Sequence, residues 1–526
     1  MPDASFSPFP AKNAQSLYRL ALQEQAAGRL EAAIALLDEA LHIQPHFPEA
    51  LCAGGFILQG RGANAGALAL YDRAVSLDPD CALAWYNRGS ILLALGEAEP
   101  ALTSLSRACQ LRPGDANAQC NRGAALFALG RLDEAIDAYS SALALDSDFP
   151  QAALNLGNAL MRSGRYEEAE AAYRRAIALR PDYSAAHCGL GIVLKELARF
   201  DAARAAFDEA AALDPHEPQN LSNKGCLDLL LGRFAEGWEG YEHRWAEGQR
   251  PFPICDLRLG ESPLARFKGK SVLIANDHAL GDTIQFFRYV LVLAGAGAKI
   301  TFAGPARLRR LFSSASAPIE WRDEKDLGGV FDERITISSL PRLFGANPGS
   351  IPLAEGYLKP EPQRVAAWRD EIGQKGLRIG LCWQGNLDFR VDPRRSFQLD
   401  AMAPLAEIPN ARLFSVQKGV DLGASGLGPR LVSLGDFDNG PDAFLDTAAI
   451  IANLDLVVTC DTSTAHLAGA LGRPVWLALK HVPEWRWMLK RTDSPWYRAL
   501  RLFRCGPGDD WPVLFREMAG ELEKGL

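Results

Sequence analysis

ANAQCNRGAALFALGRLDEAIDAYSSALALDSDF, residues 116–149, finds its own pattern upstream and downstream at steps of 34 residues. Gly123 recurs as Gly55, Gly89, Gly157, Gly191 and Gly225. Gly130 recurs as Gly28, Gly62, Gly96 and Gly164, with Ala198 in the sixth unit. Alanines keep the same step at Ala33, Ala67, Ala101, Ala135, Ala169 and Ala203, and again at Ala40, Ala74, Ala108, Ala142, Ala176 and Ala210. Between them stand Leu37, Tyr71, Leu105, Tyr139, Tyr173 and Phe207, and Pro45, Pro79, Pro113, Pro181 and Pro215 close their units, with Ser147 where one proline is missing.

Such a unit is two helices. Small side chains at the alanine positions let the helices approach, and the large residue fills the space between them. Gly130 and its equivalents stand where the first helix must stop and turn. Gly123 and its equivalents lie on the first helix, where a missing side chain permits helix contact at some loss of helicity. The period and its phased positions resemble the tetratricopeptide repeat over residues 14–245, as six full units and a partial seventh. That resemblance implies an all-α superhelix whose concave face receives a peptide or protein. Asn87, Arg88, Asn121, Arg122, Asn155 and Asn158 recur on the first helices as candidate acceptor-binding residues able to hydrogen-bond an extended backbone. A solvated surface accounts for them equally well.

The whole chain has 526 residues, long enough for roughly three domains. With 48% hydrophobic and 23% charged residues, both halves are expected to fold. A net charge of -8 and a pI near 5.6 argue against a general affinity for nucleic acid or anionic membranes. No apolar run approaches eighteen residues and the N-terminus lacks a signal pattern, so a cytoplasmic protein without membrane insertion is expected. Ten cysteines without a CxxC pair suggest reduced thiols rather than a metal site.

Near residue 245 the pattern changes. Residues 246–270 form a Pro/Gly-punctuated connection. From 271 onward SVLIAND, IQFFRYVLVLAGAG, KITFAG and ARLRRLF alternate strand and helix, and the pattern restarts after EPQRVAAWRDEIGQKG with LRIGLCW, ARLFSVQ, LVSLGD, DLVVTC and PVWLAL. This predicts two tandem α/β lobes, 271–365 and 366–526, the latter ending in a helix. Ligands of such sheets bind beyond the carboxyl ends of the strands.

Three loops carry the chemistry. In DLVVTCDTSTAHLAGALG a buried strand runs into Asp461, Thr462, Ser463 and Thr464 and then a helix, a site for an anion and most naturally a diphosphate, with His466 in the first turn able to donate to a phosphate oxygen. A capped helix with a core histidine is the plainer alternative. In NDHALGDTIQFFRYV, Gly281 permits tight backbone geometry and Asp282 and Thr283 begin a helix. Asp282 is a candidate general base, His278 is its rival, and Asp282 is alternatively only an N-cap. In GLCWQGNLDFRVDPRRSF, Trp383, Gln384, Gly385 and Asn386 approach the same cleft, while Arg394, Arg395 and, after LFSVQ, Gln417 and Lys418 would bind phosphates, one of the two arginines being read as a solvated charge. Trp485, Trp487 and Trp496 are able to stack on a sugar or base, although packing is the commoner use.

With these motifs in order, residues 270–515 resemble the GT-B glycosyltransferases with two Rossmann-like lobes, most closely the bacterial heptosyltransferase-like family, through Gly281-Asp282 and Asp461-Thr462-Ser463 with His466. The resemblance implies that Asp282 is the base and that Thr462, Ser463 and His466 hold the donor diphosphate. Repeats followed by such a domain also look like bacterial glycosyltransferases that modify flagellin, and more distantly like O-GlcNAc transferases. Because the donor segment reads DTSTAHLAGALG, UDP-N-acetylglucosamine is not carried over. The resemblance implies flagellin as acceptor and a CMP-linked sialic-acid-like sugar as donor, which no residue pattern reads out.

The expectation is an inverting protein O-glycosyltransferase that uses a nucleotide sugar, with no permanently bound cofactor. No DxD cluster calls for a metal. Its rivals are a repeat scaffold or chaperone without catalysis, and a heptosyltransferase-like enzyme acting on lipopolysaccharide.

Overall fold

The computed structural model describes residues 13–245, 251–253, 255–256, 261–385, 394–420, 422 and 425–525. Two compact units make up the chain, Met1–Leu213 and Asp214–Leu526.

Six antiparallel helix pairs form the first unit, from Ala14–Ala26 against Leu30–Ile43 to Ser184–Glu196 against Phe200–Leu213. The turning glycines Gly28, Gly62, Gly96, Gly130 and Gly164 have φ of 75, 74, 80, 77 and 81°, in the left-handed region that glycine enters without penalty. Ala198 adopts the same turn at φ 57°. From the second pair onward, the glycine on the first helix is the seat of the large residue on the second. A Cβ at Gly123 would lie 2.7 Å from the Tyr139 ring, and one at Gly157 would lie 2.8 Å from that of Tyr173. The alanines beside these residues are buried, so helix backbones approach closely. First helices of neighbouring pairs also touch, which makes them one continuous face.

The second unit opens with a seventh pair, Pro218–Leu230 and Phe234–Tyr241. The compact units thus divide after Leu213, within the repeats, because this last helix is built into the α/β core C-terminal to it. Trp238 Nε1 donates to the Ala346 carbonyl at 2.7 Å, and Arg244 donates to Asp277 at 2.8 Å, Thr336 at 3.0 Å and Ser339 at 3.1 Å.

Two wholly parallel sheets with helices complete the unit. The first has β1 (Ser271–Ala275), β2 (Lys299–Gly304), β3 (Ile319–Asp323) and β4 (Glu333–Thr336) in the order β3-β2-β1-β4. The second has β5 (Leu377–Cys382), β6 (Ala411–Ser415), β7 (Leu431–Val432), β8 (Leu456–Thr459), β9 (Val475–Leu479) and β10 (Leu500–Arg504) in the order β10-β9-β8-β5-β6-β7. Strand order reverses between β5 and β8, where Cys382 lies opposite Thr459, and between β1 and β4. These are the switch points at which a crevice opens beyond the strand ends. The sequence-based reading lacked β3, β4 and β10.

Helix Leu280–Gly295 follows β1 and helix Ser463–Ala470 follows β8. A buried arginine anchors the first of them. Arg288, with no exposed surface, donates to the carbonyls of Trp496 at 2.6 Å and Gln285 at 2.8 Å, and its guanidinium lies 4.7 Å from the Tyr497 ring and 5.0 Å from that of Tyr357. The Tyr357 hydroxyl donates to the Ile284 carbonyl. No helix among the described residues is long and apolar enough to cross a membrane, and the ten cysteines are free thiols.

Candidate functional site

At the carboxyl ends of β1, β5, β6 and β8 lies a cleft of about 810 Å³, lined by the loops that the sequence singled out. Most of the expected residues meet in it: His278, Gly281, Asp282, Gln384, Gly385, Gln417, Lys418, Asp461, Thr462, Ser463, Thr464 and His466 all line it. Arg307, Arg395 and Arg486 add positive charge, and Glu324, Asp438 and Asp442 line it as well. Two of these carboxylates already have partners: Asp438 accepts from the Asp446 and Thr447 amides and Asp442 pairs with Arg310 at 3.4 Å.

Two helix N-termini converge here, and Gly281 is what allows it. Its φ is not positive, so backbone freedom is not its use. A Cβ at Gly281 would instead stand 3.1 Å from His466 Cδ2 and 3.4 Å from Ser463 Cα. Thr462 is the N-cap of helix Ser463–Ala470 and makes no side-chain cap hydrogen bond. Its hydroxyl and those of Ser463 and Thr464 border the cleft beside the first backbone N–H groups of the helix, at its positive end. Gly385 packs against this start, its Cβ position lying 3.5 Å from Thr462 and 3.8 Å from the Arg395 guanidinium.

Asp282 is not an N-cap. Ala279 holds that position, and Asp282 sits in the first turn of its helix. The Asp282 side chain is 23% exposed and ion-paired with Arg486, whose side chain is 8% exposed. Burial alone would raise the carboxyl's pKa. The Arg486 guanidinium outweighs it and holds Asp282 below its ordinary range. A carboxylate so held is ionised at neutral pH.

His278 has both ring nitrogens engaged. Nδ1 lies 2.7 Å from the Asp277 carbonyl, which only accepts, so Nδ1 carries the proton. Nε2 then accepts from the Tyr241 hydroxyl at 2.6 Å. The lone pair of Nε2 is thus already occupied.

His466 is 4% exposed and stacked on Trp487 at 5.6 Å, with Nδ1 at 3.0 Å from the Tyr497 hydroxyl, so only Nε2 is left to meet a ligand. Burial, reinforced by Arg486, lowers its pKa to about 3, so the ring is a neutral hydrogen-bonding group rather than a cation. It is at once core-packed and cleft-lining.

Other expected residues serve the walls. Trp383 is a correction: its indole is 5% exposed in the core with Leu381, Phe397 and Phe515 and does not line the cleft. Gln417 Oε1 accepts from the Gln384 amide at 3.0 Å and the Trp383 amide at 3.3 Å, fastening the loop after β5 to that after β6. Lys418 donates to the Asp438 carbonyl. Of the two arginines, Arg395 lines the cleft and Arg394, in left-handed conformation at φ 62°, does not. Asn386 lies outside the described residues. Trp485, Trp487 and Trp496 are packing residues, buried at 5, 0 and 2% exposure. Trp485 packs edge-on against Trp238 at 5.2 Å.

Sequence reading missed Arg486 and Glu484. Both stand in the run HVPEWRWMLK, whose tryptophans drew attention away from the charges between them. Burial pushes Glu484 up to about 7.

In the first unit, the six residues expected to bind an acceptor also have hydrogen-bond partners within the array. Arg88 donates to Asp72 and Ser104, both at 2.6 Å, and Arg122 to Gln119 at 3.3 Å. Asn121 reaches Ser90 at 2.9 Å and Asn155 reaches Cys120 at 3.7 Å, each linking a first helix to the preceding one. Asn87 hydrogen-bonds Cys52 across the same step, and Asn158 accepts from Tyr173 at 2.7 Å.

Comparison with known proteins bears on the repeats. Tetratricopeptide repeat models match residues 57–116 and 154–218, and a TPR repeat model matches 123–164, so the N-terminal part carries these repeats. Protein FlbA of Caulobacter vibrioides is 26% identical over 322 residues, covering 55% of this chain and 53% of that protein. The chain thus spans about half the length of the curated relative it matches. Among solved structures, TTC0263, a thermophilic TPR protein of Thermus thermophilus, is 28% identical over 34% of this chain and 98% of its own, with a TM-score of 0.29. The pilF protein of Pseudomonas aeruginosa is 22% identical over 39% of this chain and 94% of its own, with a TM-score of 0.36.

Proposed function

We propose that the chain is a nucleotide-sugar-dependent glycosyltransferase of the GT-B type that modifies Ser or Thr of a protein recruited by its tetratricopeptide repeats. One observation carries the reading: the helix N-terminus bearing the ionised Asp282 and the one bearing Thr462, Ser463 and Thr464 meet across Gly281 in a cleft at the carboxyl ends of two parallel sheets. A base and an anion-binding helix start at that separation are what transfer from a nucleotide-sugar donor requires.

In this mechanism Asp282 takes the proton of the acceptor hydroxyl as its oxygen attacks the anomeric carbon. The bond from that carbon to the donor phosphate breaks, with inversion. Negative charge developing on the departing phosphate is met by the start of helix Ser463–Ala470, the Thr462, Ser463 and Thr464 hydroxyls, neutral His466 and the cations Arg395, Arg307 and Lys418. These fixed donors supply the electrostatic stabilisation, so the scheme calls for no divalent ion. Flagellin as acceptor and a CMP-linked sialic-acid-like donor are the specific forms the sequence resemblance implies.

Thermal stability in the presence of CMP, UDP, GDP and ADP compounds tests the donor site, since a ligand of the folded state alone raises stability by mass action. Stabilisation by one nucleotide class, lost in His466→Ala, is the expected result; none by any of them returns the chain to a repeat scaffold. Once turnover is found, Asp282→Asn is expected to lower kcat by about 100-fold or more, and His278→Gln by far less. Equal loss in both would remove Asp282 as the sole base.

A further inference from the structure

Resting on that reading, we infer that Arg486 is a positioning residue that fixes the Asp282 carboxylate toward the acceptor by sharing its guanidinium among three fixed partners. Nε donates to Gln285 Oε1 at 2.9 Å, one terminal nitrogen binds Asp282, and the other lies 2.8 Å from Glu484. Gln285 has no exposed surface, and Arg486 is itself 7% exposed, so neither end of the fork is free to swing.

The three partners come from two separate stretches of chain. Asp282 and Gln285 lie on the helix after β1, whereas Arg486 and Glu484 lie on the segment after β9. Glu484 caps the short turn Trp485–Trp487 by accepting from the Arg486 amide, and the rings of Trp485 and Trp487 on either side are buried. Arg486 is therefore delivered to Asp282 on a rigid turn. A planar fork with all its arms occupied fixes both the position and the rotamer of the carboxylate it binds.

A carboxylate in the first turn of a helix is otherwise free to rotate toward its own backbone N–H groups and away from the cleft. The second function of Arg486 is electrical: it keeps Asp282 ionised in a pocket that also carries Asp461 and close to the buried Glu484. Around Asp282 stand Arg486, His278, His466 and Arg395, and around Glu484 stand Arg486, Asp461 and Asp282.

The test compares wild type, Arg486→Met and Arg486→Lys in the full chain labelled with aspartate carrying carbon-13 at the side-chain carboxyl, the Asp282 resonance being assigned by its loss in Asp282→Asn. In Arg486→Met the Asp282 titration midpoint is expected to rise by at least about one pH unit, and kcat for nucleotide-sugar turnover to fall about 100-fold with nucleotide affinity within about twofold. Arg486→Lys, which keeps the charge but not the fork, is expected to leave the midpoint within about half a unit while kcat falls about tenfold. An unmoved midpoint in Arg486→Met, or full kcat in Arg486→Lys, overturns the assignment. If Arg486→Met fails to fold by circular dichroism, Arg486→Lys decides alone through its split between kcat and nucleotide affinity. A wild type that turns over no nucleotide sugar counts against the transferase reading only, because the titration needs no substrate.

Discussion

The sixth and seventh helix pairs obey the same 34-residue phase and put it to opposite uses. In the sixth, Gly191 seats the Phe207 ring, and Phe207, Ala203 and Ala210 are buried within the array. In the seventh, the equivalent positions are Gly225, Tyr241, Gly237 and Arg244. Glycine replaces one alanine, and the helices meet backbone to backbone: a Cβ at Gly237 would lie 2.8 Å from the Leu229 nitrogen, and one at Gly225 would lie 2.5 Å from the Tyr241 nitrogen and 2.6 Å from the Gly240 carbonyl carbon. Arginine replaces the other. The Tyr241 hydroxyl, at the phase position of Tyr173, turns to His278 beside the cleft. A repeat can thus keep its backbone plan while its second helix becomes part of a neighbouring α/β core.

Arg244 gives the sharpest way to break this comparison. Its partners Asp277 and Glu242 have side chains 1 and 2% exposed, and its guanidinium reaches them at 2.8 and 3.4 Å. Arg244→Met withdraws that charge from two buried carboxylates and is expected to cost the second unit about 3–5 kcal/mol in urea unfolding. Adding Asp277→Asn should restore part of that. A loss below about 1 kcal/mol would mean that the seventh pair is merely apposed to the sheet.

Next in size is the glycine contrast. Gly225→Ala drives a methyl into backbone atoms that cannot give, whereas Gly157→Ala meets the edge of the Tyr173 ring at 2.8 Å. About 3 kcal/mol is expected for the first and about 1–2 for the second. Because the chain has two units, each loss should be read from the protection of amides in its own helices by hydrogen exchange. Equal losses would remove the distinction between a seat for a ring and a contact between backbones.

These two sites also show how far the sequence could be read. The phase of glycines and alanines revealed the pairs, since the same packing problem is solved six times and each solution leaves the same mark. Gly281-Asp282 and DTSTAH were legible because a strand end followed by small, polar, helix-starting residues has few structural uses. Strands β3, β4 and β10 were hidden: IEWRD, ERIT and LRLFR are short and half polar, and pairing with a neighbouring strand rather than local preference makes them strands. Arg486 was hidden because its partner Asp282 lies 204 positions away, a distance over which no spacing rule operates. The repeated asparagines show a related point: repetition marks a position as used in every unit, and Asn121 and Asn155 are used at least in the joint between units.

A smaller effect separates two tyrosines of one phase. Tyr173→Phe and Tyr241→Phe each delete a hydrogen bond, to Asn158 at 2.7 Å and to His278 at 2.6 Å, and each is expected to cost about 1 kcal/mol. Only the second frees an imidazole lone pair beside Asp282. The nitrogen-15 chemical shift of His278 Nε2 should therefore change in Tyr241→Phe and stay fixed in Tyr173→Phe. Identical His278 nitrogen shifts in the two variants would show that the hydroxyl of Tyr241 does not govern the ring.

The smallest expected change is a gain. Ala198 holds a left-handed turn that five earlier units give to glycine, and at φ 57° its Cβ crowds the following carbonyl at a cost of about 1–2 kcal/mol. Ala198→Gly removes that strain but gives the unfolded chain more freedom, which offsets roughly 0.4–1 kcal/mol. The net is a stabilisation of about 0.5–1 kcal/mol, confined to the sixth pair and visible as slower amide exchange in Ser184–Glu196 and Phe200–Leu213. The same substitution at an alanine within a helix, such as Ala203, should lose about 1 kcal/mol, so the opposite signs at two alanines five residues apart would isolate the turn as the cause. Destabilisation by Ala198→Gly would mean that the Ala198 methyl group contributes more by packing than its backbone loses by strain.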